Sequence, residues 1–158
     1  MHTVEKQKKK SITPALVELL DMQKASNDSF LKFAFLFSGI YDIILGLALL
    51  FFVDPLSELL DFTKPEPPFF GHTLGIFLVV MGYFLIYAIQ DPRKMAFIGA
   101  GSFVVRFAYS AIIFLLWFSQ EIDTLYLLLG ITDTLTGALI LFALLATETF
   151  SFKQLWKF

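Results

Sequence analysis

The feature that most constrains this chain is a set of four apolar segments, each long enough to cross a lipid bilayer. They cover residues 30–53, 72–90, 95–118 and 124–147. A transmembrane helix needs about 20 apolar residues, because each residue adds about 1.5 Å to its length. Proline and paired charges separate the segments, and such groups cannot lie unsatisfied in hydrocarbon. The pattern predicts an all-α membrane protein, a bundle of four transmembrane helices that contacts the lipid bilayer.

The composition supports the same class of protein. Hydrophobic residues make up 57% of the 158 residues and charged residues only 16%, too few polar side chains to coat a soluble domain. The absence of cysteine excludes disulfides, thiolate metal sites and cysteine nucleophiles. The sequence has no glycine-rich phosphate loop, no metal-ligand spacing and no basic–aromatic surface. We therefore expect no cofactor, no metal and no nucleic-acid partner.

The placement of lysine and arginine predicts the orientation of the bundle. Positive charges precede the first apolar segment, follow the second and occur again after the fourth, whereas the other two loops are mainly acidic. Both termini are therefore predicted to be cytoplasmic, with the acidic loops outside. The chain is expected to be a multi-pass protein of a bacterial-type inner (cytoplasmic) membrane.

The segments that flank the bundle carry predictions of their own. Residues 1–29 form a basic segment in which TPALVELLDMQ has the spacing of an interfacial amphipathic helix. Either anionic lipid headgroups attract this segment or it is a solvated basic tail. Residues 30–147 form the transmembrane domain, and residues 148–158 alternate aromatic and basic side chains as an interfacial anchor does. DPLSELLDF predicts a short helix with Asp54 as its cap and Pro55 at its first position.

Three charged residues lie near the midpoints of apolar segments: Asp42, Arg106 and Asp133. Each would cost about 2.5–3.5 kcal/mol at the centre of a lone helix in lipid. All three are therefore predicted to face inward and to meet. Each aspartate also has a glycine three residues before it and another four residues after it, which indicates faces where helices pack closely. These glycines are Gly39, Gly46, Gly130 and Gly137.

Hydroxyl side chains at similar depth are expected to support the charged centre. They are Tyr41, Ser102, Tyr109, Ser110, Thr132 and Thr136. Two carboxylates and one guanidinium leave a surplus negative charge, so one aspartate is predicted to hold a proton. Neighbouring threonines could donate hydrogen bonds to ionised Asp133, which favours Asp42 as the protonated residue.

Two functions remain open at this point. In the first, the Asp42–Arg106–Asp133 centre binds or relays a proton, an ion, or a small polar or lipid headgroup. In the second, the protein is a non-catalytic accessory or structural subunit of a larger membrane complex or a homo-oligomer, and the charges only hold the helices together. A cavity reaching either aspartate would favour the first. An enzyme is not expected, because the centre has no evident nucleophile and no handle for a cofactor.

Four stretches resemble a family of small bacterial four-helix membrane proteins that are similar to DoxX-like proteins. These stretches are YDIILGLALLFF, MGYFLIYAIQDPRK, the basic residue Arg106 and TDTLTGALILF, and together they cover roughly residues 33 to 145. The glycine–tyrosine and aspartate–proline pairs of the second stretch are the most specific element. The resemblance implies a small four-helix membrane protein, and it brings no established activity with it.

Overall fold

The computed structural model describes residues 14–63 and 68–148, and every regular element within them is helical. The helices are α1 (Pro14–Phe51), α2 (Val53–Leu60), α3 (Pro68–Ala88), α4 (Ala96–Phe118) and α5 (Thr124–Ala146). Four of these helices, α1, α3, α4 and α5, are long and apolar enough to cross a membrane. The prediction of an all-α protein with four transmembrane helices is confirmed. Residues 1–13 and 149–158, and with them most of the basic N-terminal stretch and the aromatic tail, lie outside the described residues.

Helix α1 is much longer than a bilayer requires. Its 38 residues extend about 57 Å at about 1.5 Å per residue, whereas the hydrocarbon core is about 30 Å thick. Residues 15–26 are exposed and continue α1 without a break. The predicted interfacial helix is therefore continuous with the first span, and its attraction to anionic lipid stays a prediction.

The bundle proper begins where α1 first touches other elements. The side-chain amide of Asn27 donates to the Ala146 carbonyl at 2.7 Å. One residue further, Asp28 pairs with Arg93 of the α3–α4 connection at 2.6 Å. We call the end of the bundle that holds these four residues the basic end. Because α1 enters the bundle there and α5 ends there, the first and last spans have their outer termini on the same side.

The opposite end of the bundle, which holds Thr63, Glu121 and Asp123, is called the acidic end. The Thr63 backbone N–H donates to a carboxylate oxygen of Asp123 at 2.7 Å, and the Tyr126 hydroxyl donates to the Thr63 carbonyl at 2.5 Å. The N–H of Thr63 lowers the pKa of the Asp123 carboxyl, because a hydrogen bond to the ionised form favours that form. These contacts tie the loop that follows α2 to the start of α5.

Helix α2 forms where a short helix was predicted, but the predicted cap is wrong. The N-cap residue is Phe52, and Asp54 lies in the first turn. The reason is that the Phe52 carbonyl already accepts a hydrogen bond from the Leu56 N–H at 3.0 Å, which starts the helix before Asp54. The helix ends at Asp61, which has a left-handed backbone conformation with φ of 50°.

Helices α1 and α3 form a close antiparallel pair through glycines. A Cβ atom on Gly39 would lie 2.8 Å from the Gly82 carbonyl oxygen, and one on Gly46 would lie 2.6 Å from the Gly75 carbonyl oxygen. Both helices space their glycines seven residues apart, so the two pairs of glycines meet in register. Small residues permit this approach of two backbones in a membrane protein.

Helices α4 and α5 form the second close pair, and α1 joins the two pairs by packing on α5. The buried apolar core lies in the half of the bundle nearer the basic end and includes Leu31, Phe35, Leu85, Phe103, Ile140 and Leu144. Helices α3 and α4 contact each other little. The bundle is therefore packed shut toward the basic end and looser between α3 and α4.

Candidate functional site

The three charged side chains meet inside the bundle. Arg106 donates from Nη2 to Asp42 Oδ1 at 2.6 Å and from Nη1 to Asp133 Oδ1 at 2.7 Å. Asp42, Arg106 and Asp133 are 2%, 5% and 7% exposed, respectively. The predicted network exists, and it links α1, α4 and α5 at the midpoints of their spans.

Arg106 also donates hydrogen bonds to two hydroxyl side chains. Its Nε donates to Ser102 Oγ at 3.3 Å, and Nη1 donates a second hydrogen bond to Thr136 Oγ1 at 3.0 Å. The guanidinium carbon lies 5.6 Å from the centre of the Tyr41 ring, within the range of a cation–π interaction. Hydrogen bonds among the described residues thus use four of the five N–H groups of Arg106. The guanidinium is held in one orientation.

The remaining predicted supporting residues have different places. Thr132 shares a hydrogen bond of 2.7 Å with the Tyr41 hydroxyl, and so acts on the network through that tyrosine. Ser110 instead donates to the Gly130 carbonyl at 2.9 Å and joins α4 to α5. Tyr109 lies beside the network and lines a cavity that reaches it. Of these three residues, only Tyr109 lines the cavity beside the charges.

The four predicted glycines all lie at contacts between helices, two against the backbone of α3 and two against side chains of α4. Gly39 and Gly46 lie against α3, as described above. A Cβ atom on Gly130 would lie 2.9 Å from Ile113 Cγ2, and one on Gly137 would lie 3.4 Å from Arg106 Cβ. A methyl group at Gly137 would therefore meet the Arg106 side chain at ordinary van der Waals distance, a contact that the sequence pattern did not show.

The threonines around Asp133 do not donate to its carboxylate. Thr132, Thr134 and Thr136 donate to carbonyls four residues earlier in α5, at 3.0, 2.8 and 2.8 Å. Threonine in a helix commonly makes this bond, because its hydroxyl lies close to the preceding turn. The reason given for preferring Asp42 as the protonated residue is therefore wrong.

A cavity of about 80 Å³ lies directly beside the network. A water molecule needs about 10–15 Å³ of such space, so the cavity has room for several waters or a small polar group. Its polar lining is Asp42, Ser102, Arg106, Tyr109 and Asp133. Its apolar lining is Leu45, Leu49, Leu74, Phe77, Leu78, Met81, Val105 and Leu129. All three charges face one space between the four long helices.

Each aspartate has a second carboxylate oxygen that Arg106 does not use. The hydrogen bonds described for Asp42 and Asp133 involve Oδ1, and none involves Oδ2. In the described part of the chain, Ser38 Oγ alone is fully buried without a hydrogen-bond partner. Both Oδ2 atoms therefore keep some accessible surface, and the cavity is the space that both residues line. Two acceptors are available there to an occupant.

A second and larger space, the vestibule, lies between the cavity and the acidic end. Its volume is about 590 Å³, and its wall includes Glu121 and Asp123. The two spaces share four wall residues, so they adjoin. These residues are Leu49, Leu74, Tyr109 and Leu129. The core closes the bundle toward the basic end, so the vestibule and the loosely packed face between α3 and α4 are the sides on which the cavity is less enclosed.

Helix α3 takes part in the site, although the sequence indicated no site residue there. Leu74, Phe77, Leu78 and Met81 form the wall opposite the charges. The spacing 74, 78, 81 marks one face of a helix, but α3 is apolar on every side, so this face cannot be distinguished from lipid-facing ones. The seven-residue spacing between Gly75 and Gly82 is the local signal that orients α3.

The site has no recognisable metal centre among the described residues, because no group of three or more metal-ligating side chains occurs there.

No protein-family model matches this chain, and neither a curated protein nor a solved structure does.

Proposed function

We propose that this membrane protein binds a small ligand through the Asp42–Arg106–Asp133 network, inside the cavity between its four long helices. The observation that carries the proposal is that one cavity is lined by all three charged residues. The ligand would present a polar group to the charges and an apolar part to the wall formed by α3. A proton held by the aspartates is the smallest occupant of the same site.

Packing density supports this proposal over a purely structural role for the charges. Protein interiors are close-packed, with few voids larger than a water molecule. Charges that served only to hold the helices in register would be expected to be enclosed on every side. Here both aspartates and Arg106 line a cavity instead.

The second candidate is a non-catalytic accessory or structural subunit in which the charges are packing glue. Its support is that Arg106 on α4 hydrogen-bonds to side chains of both α1 and α5. The two candidates differ in one physical property, namely whether water and solutes enter the cavity. The inner-membrane location and the DoxX-like resemblance remain predictions, and neither is needed for this proposal.

Cysteine labelling tests whether the cavity is accessible. The chain contains no cysteine, so Leu78→Cys gives a single thiol on the cavity wall. Leu85→Cys is the matched control, since it lies seven residues along the same helix but is 0% exposed in the packed core. Methanethiosulfonate reagents react with the thiolate, which forms only where water reaches the sulfur. Purified protein in detergent would be treated with the small neutral methyl reagent, and labelling followed by mass spectrometry.

We expect Leu78→Cys to be labelled at least about tenfold faster than Leu85→Cys, because a thiolate is favoured in hydrated surroundings. Equal and negligible rates at the two positions would show that the cavity is dry. The structural candidate would then be preferred.

A further inference from the structure

We propose that the ligand is a small organic cation, a primary ammonium with a short apolar substituent, which reaches the network from the acidic end. This inference rests on the proposed binding function and specifies the chemical class of the ligand. It follows from the charges of the network, the charges along the approach and the side chains of the walls.

The charge balance of the network favours a cation. With both carboxyls ionised, Asp42 and Asp133 carry two negative charges against the single positive charge of Arg106, and a bound cation takes the place of the proton that one aspartate would otherwise hold. Uncompensated charge is costly in a buried site. A ligand with one positive charge is therefore favoured over a ligand with a negative charge. The side chains of both aspartates are at least nine-tenths buried, at 3% and 10% exposed. The counter-charge is therefore either a proton on one carboxyl or a cation inside the cavity.

The hydrogen-bonding groups also match an ammonium. Both Oδ2 atoms are acceptors without a partner among the described residues. A primary ammonium has three N–H donors and no acceptor, which is the complement of two carboxylate oxygens. A carboxylate or phosphate would need several free donors, and the lining offers one remaining N–H group of Arg106 and the Tyr109 hydroxyl.

The charges in the wall of the vestibule also favour a cation. Glu121 and Asp123 lie in the wall of the vestibule, and none of its described lining residues is lysine or arginine. A passage lined by charges of one sign raises the local concentration of the opposite ion. Cations are thus concentrated at the acidic end.

The walls suit the rest of such a ligand. Phe77 and Tyr109 line the cavity, and aromatic faces attract ammonium groups. Leu74 and Met81 offer apolar surface to a short alkyl chain. A bare metal ion would meet few oxygen ligands here, because most of the lining is hydrocarbon.

Charge-selective labelling of Leu78→Cys tests the inference. The aminoethyl and sulfonatoethyl methanethiosulfonates have similar size and opposite charge. Lys94→Cys, at an exposed site on the basic end, corrects for the intrinsic reactivity of the two reagents. After this correction we expect the cation to react at least about tenfold faster in the cavity, the lower end of the effect of electrostatic focusing. The conservative variant Glu121→Gln, at the vestibule wall, should reduce the preference without affecting the fold.

Protection by free ligands gives the second measurement. We expect n-butylammonium to slow the labelling of Leu78→Cys by the neutral methyl reagent, and butyrate and n-butanol at the same concentration to have no effect. Equal corrected rates for the two charged reagents, or protection by butyrate, would overturn the cation inference and leave the binding function standing. Absence of any reaction at Leu78→Cys, including with the neutral reagent, would overturn both.

Discussion

Replacing Arg106 by methionine is the most direct perturbation of the network. Arg106→Met keeps most of the side-chain volume but removes the charge and all five N–H groups. Asp42 and Asp133 would then lie buried with no counter-charge on the protein. Since the arginine connects α1, α4 and α5, its loss should destabilise the whole bundle rather than one helix.

The magnitude can be bounded from the geometry. Removing one partner of a buried ion pair costs about 3–5 kcal/mol, because the other charge is left uncompensated. Between helices in membranes a hydrogen bond is worth about 0.6 kcal/mol on average. The three hydrogen bonds from Arg106 to α1 and α5 then give a lower figure of about 2 kcal/mol. We expect a loss of about 2–5 kcal/mol.

Reversible unfolding in mixed detergent micelles measures this loss. Val104→Ala is the control on the same helix, because Val104 is 46% exposed on the outer face of the bundle. It should change the free energy of unfolding by less than about 1 kcal/mol. Combining Arg106→Met with Asp42→Asn and Asp133→Asn should recover much of the lost stability, since no buried charge then remains. If the triple variant is no more stable than Arg106→Met, the three residues are not coupled as an electrostatic network.

Two further predictions concern packing and orientation. Gly82→Ala should destabilise the bundle by about 1–3 kcal/mol, because its Cβ would lie 2.5 Å from a backbone carbonyl of α1 that cannot move aside. Gly101→Ala is the matched control: nothing lies within 4 Å of a Cβ there, and its stability should be unchanged or slightly higher. For orientation, an impermeant thiol reagent outside intact cells should label Ser119→Cys at the acidic end and leave Lys94→Cys at the basic end unlabelled. The reverse labelling would place the acidic loops in the cytoplasm.

The helices themselves could be predicted from the sequence. The predicted spans 30–53, 72–90, 95–118 and 124–147 and the observed helices agree to within a few residues, except where α1 continues to Pro14. Hydrophobic length is a local and additive property, so the spans can be read along the chain. The α2 cap was missed because a backbone carbonyl, rather than a nearby side chain, decides where that helix starts.

The meeting of Asp42, Arg106 and Asp133 could also be predicted, because a lone charge in lipid is costly and opposite charges have one inexpensive arrangement. The hydrogen-bond partners of the serine and threonine hydroxyls could not be predicted from the sequence. Ser110 and the threonines of α5 can bond to a neighbouring helix or to their own backbone, and only the rotation and distance of the helices select between these.

The sequence by itself thus determined the number of spans and the convergence of the three charges. Only the tertiary structure decided that Gly39 and Gly46 meet glycines of α3, and that a cavity remains beside Arg106. Both depend on how four nearly uniform apolar surfaces are rotated against one another, and an apolar helix carries little information about its own rotation. A cavity is the volume that all four helices together leave unfilled. For that reason no single segment of the sequence encodes it.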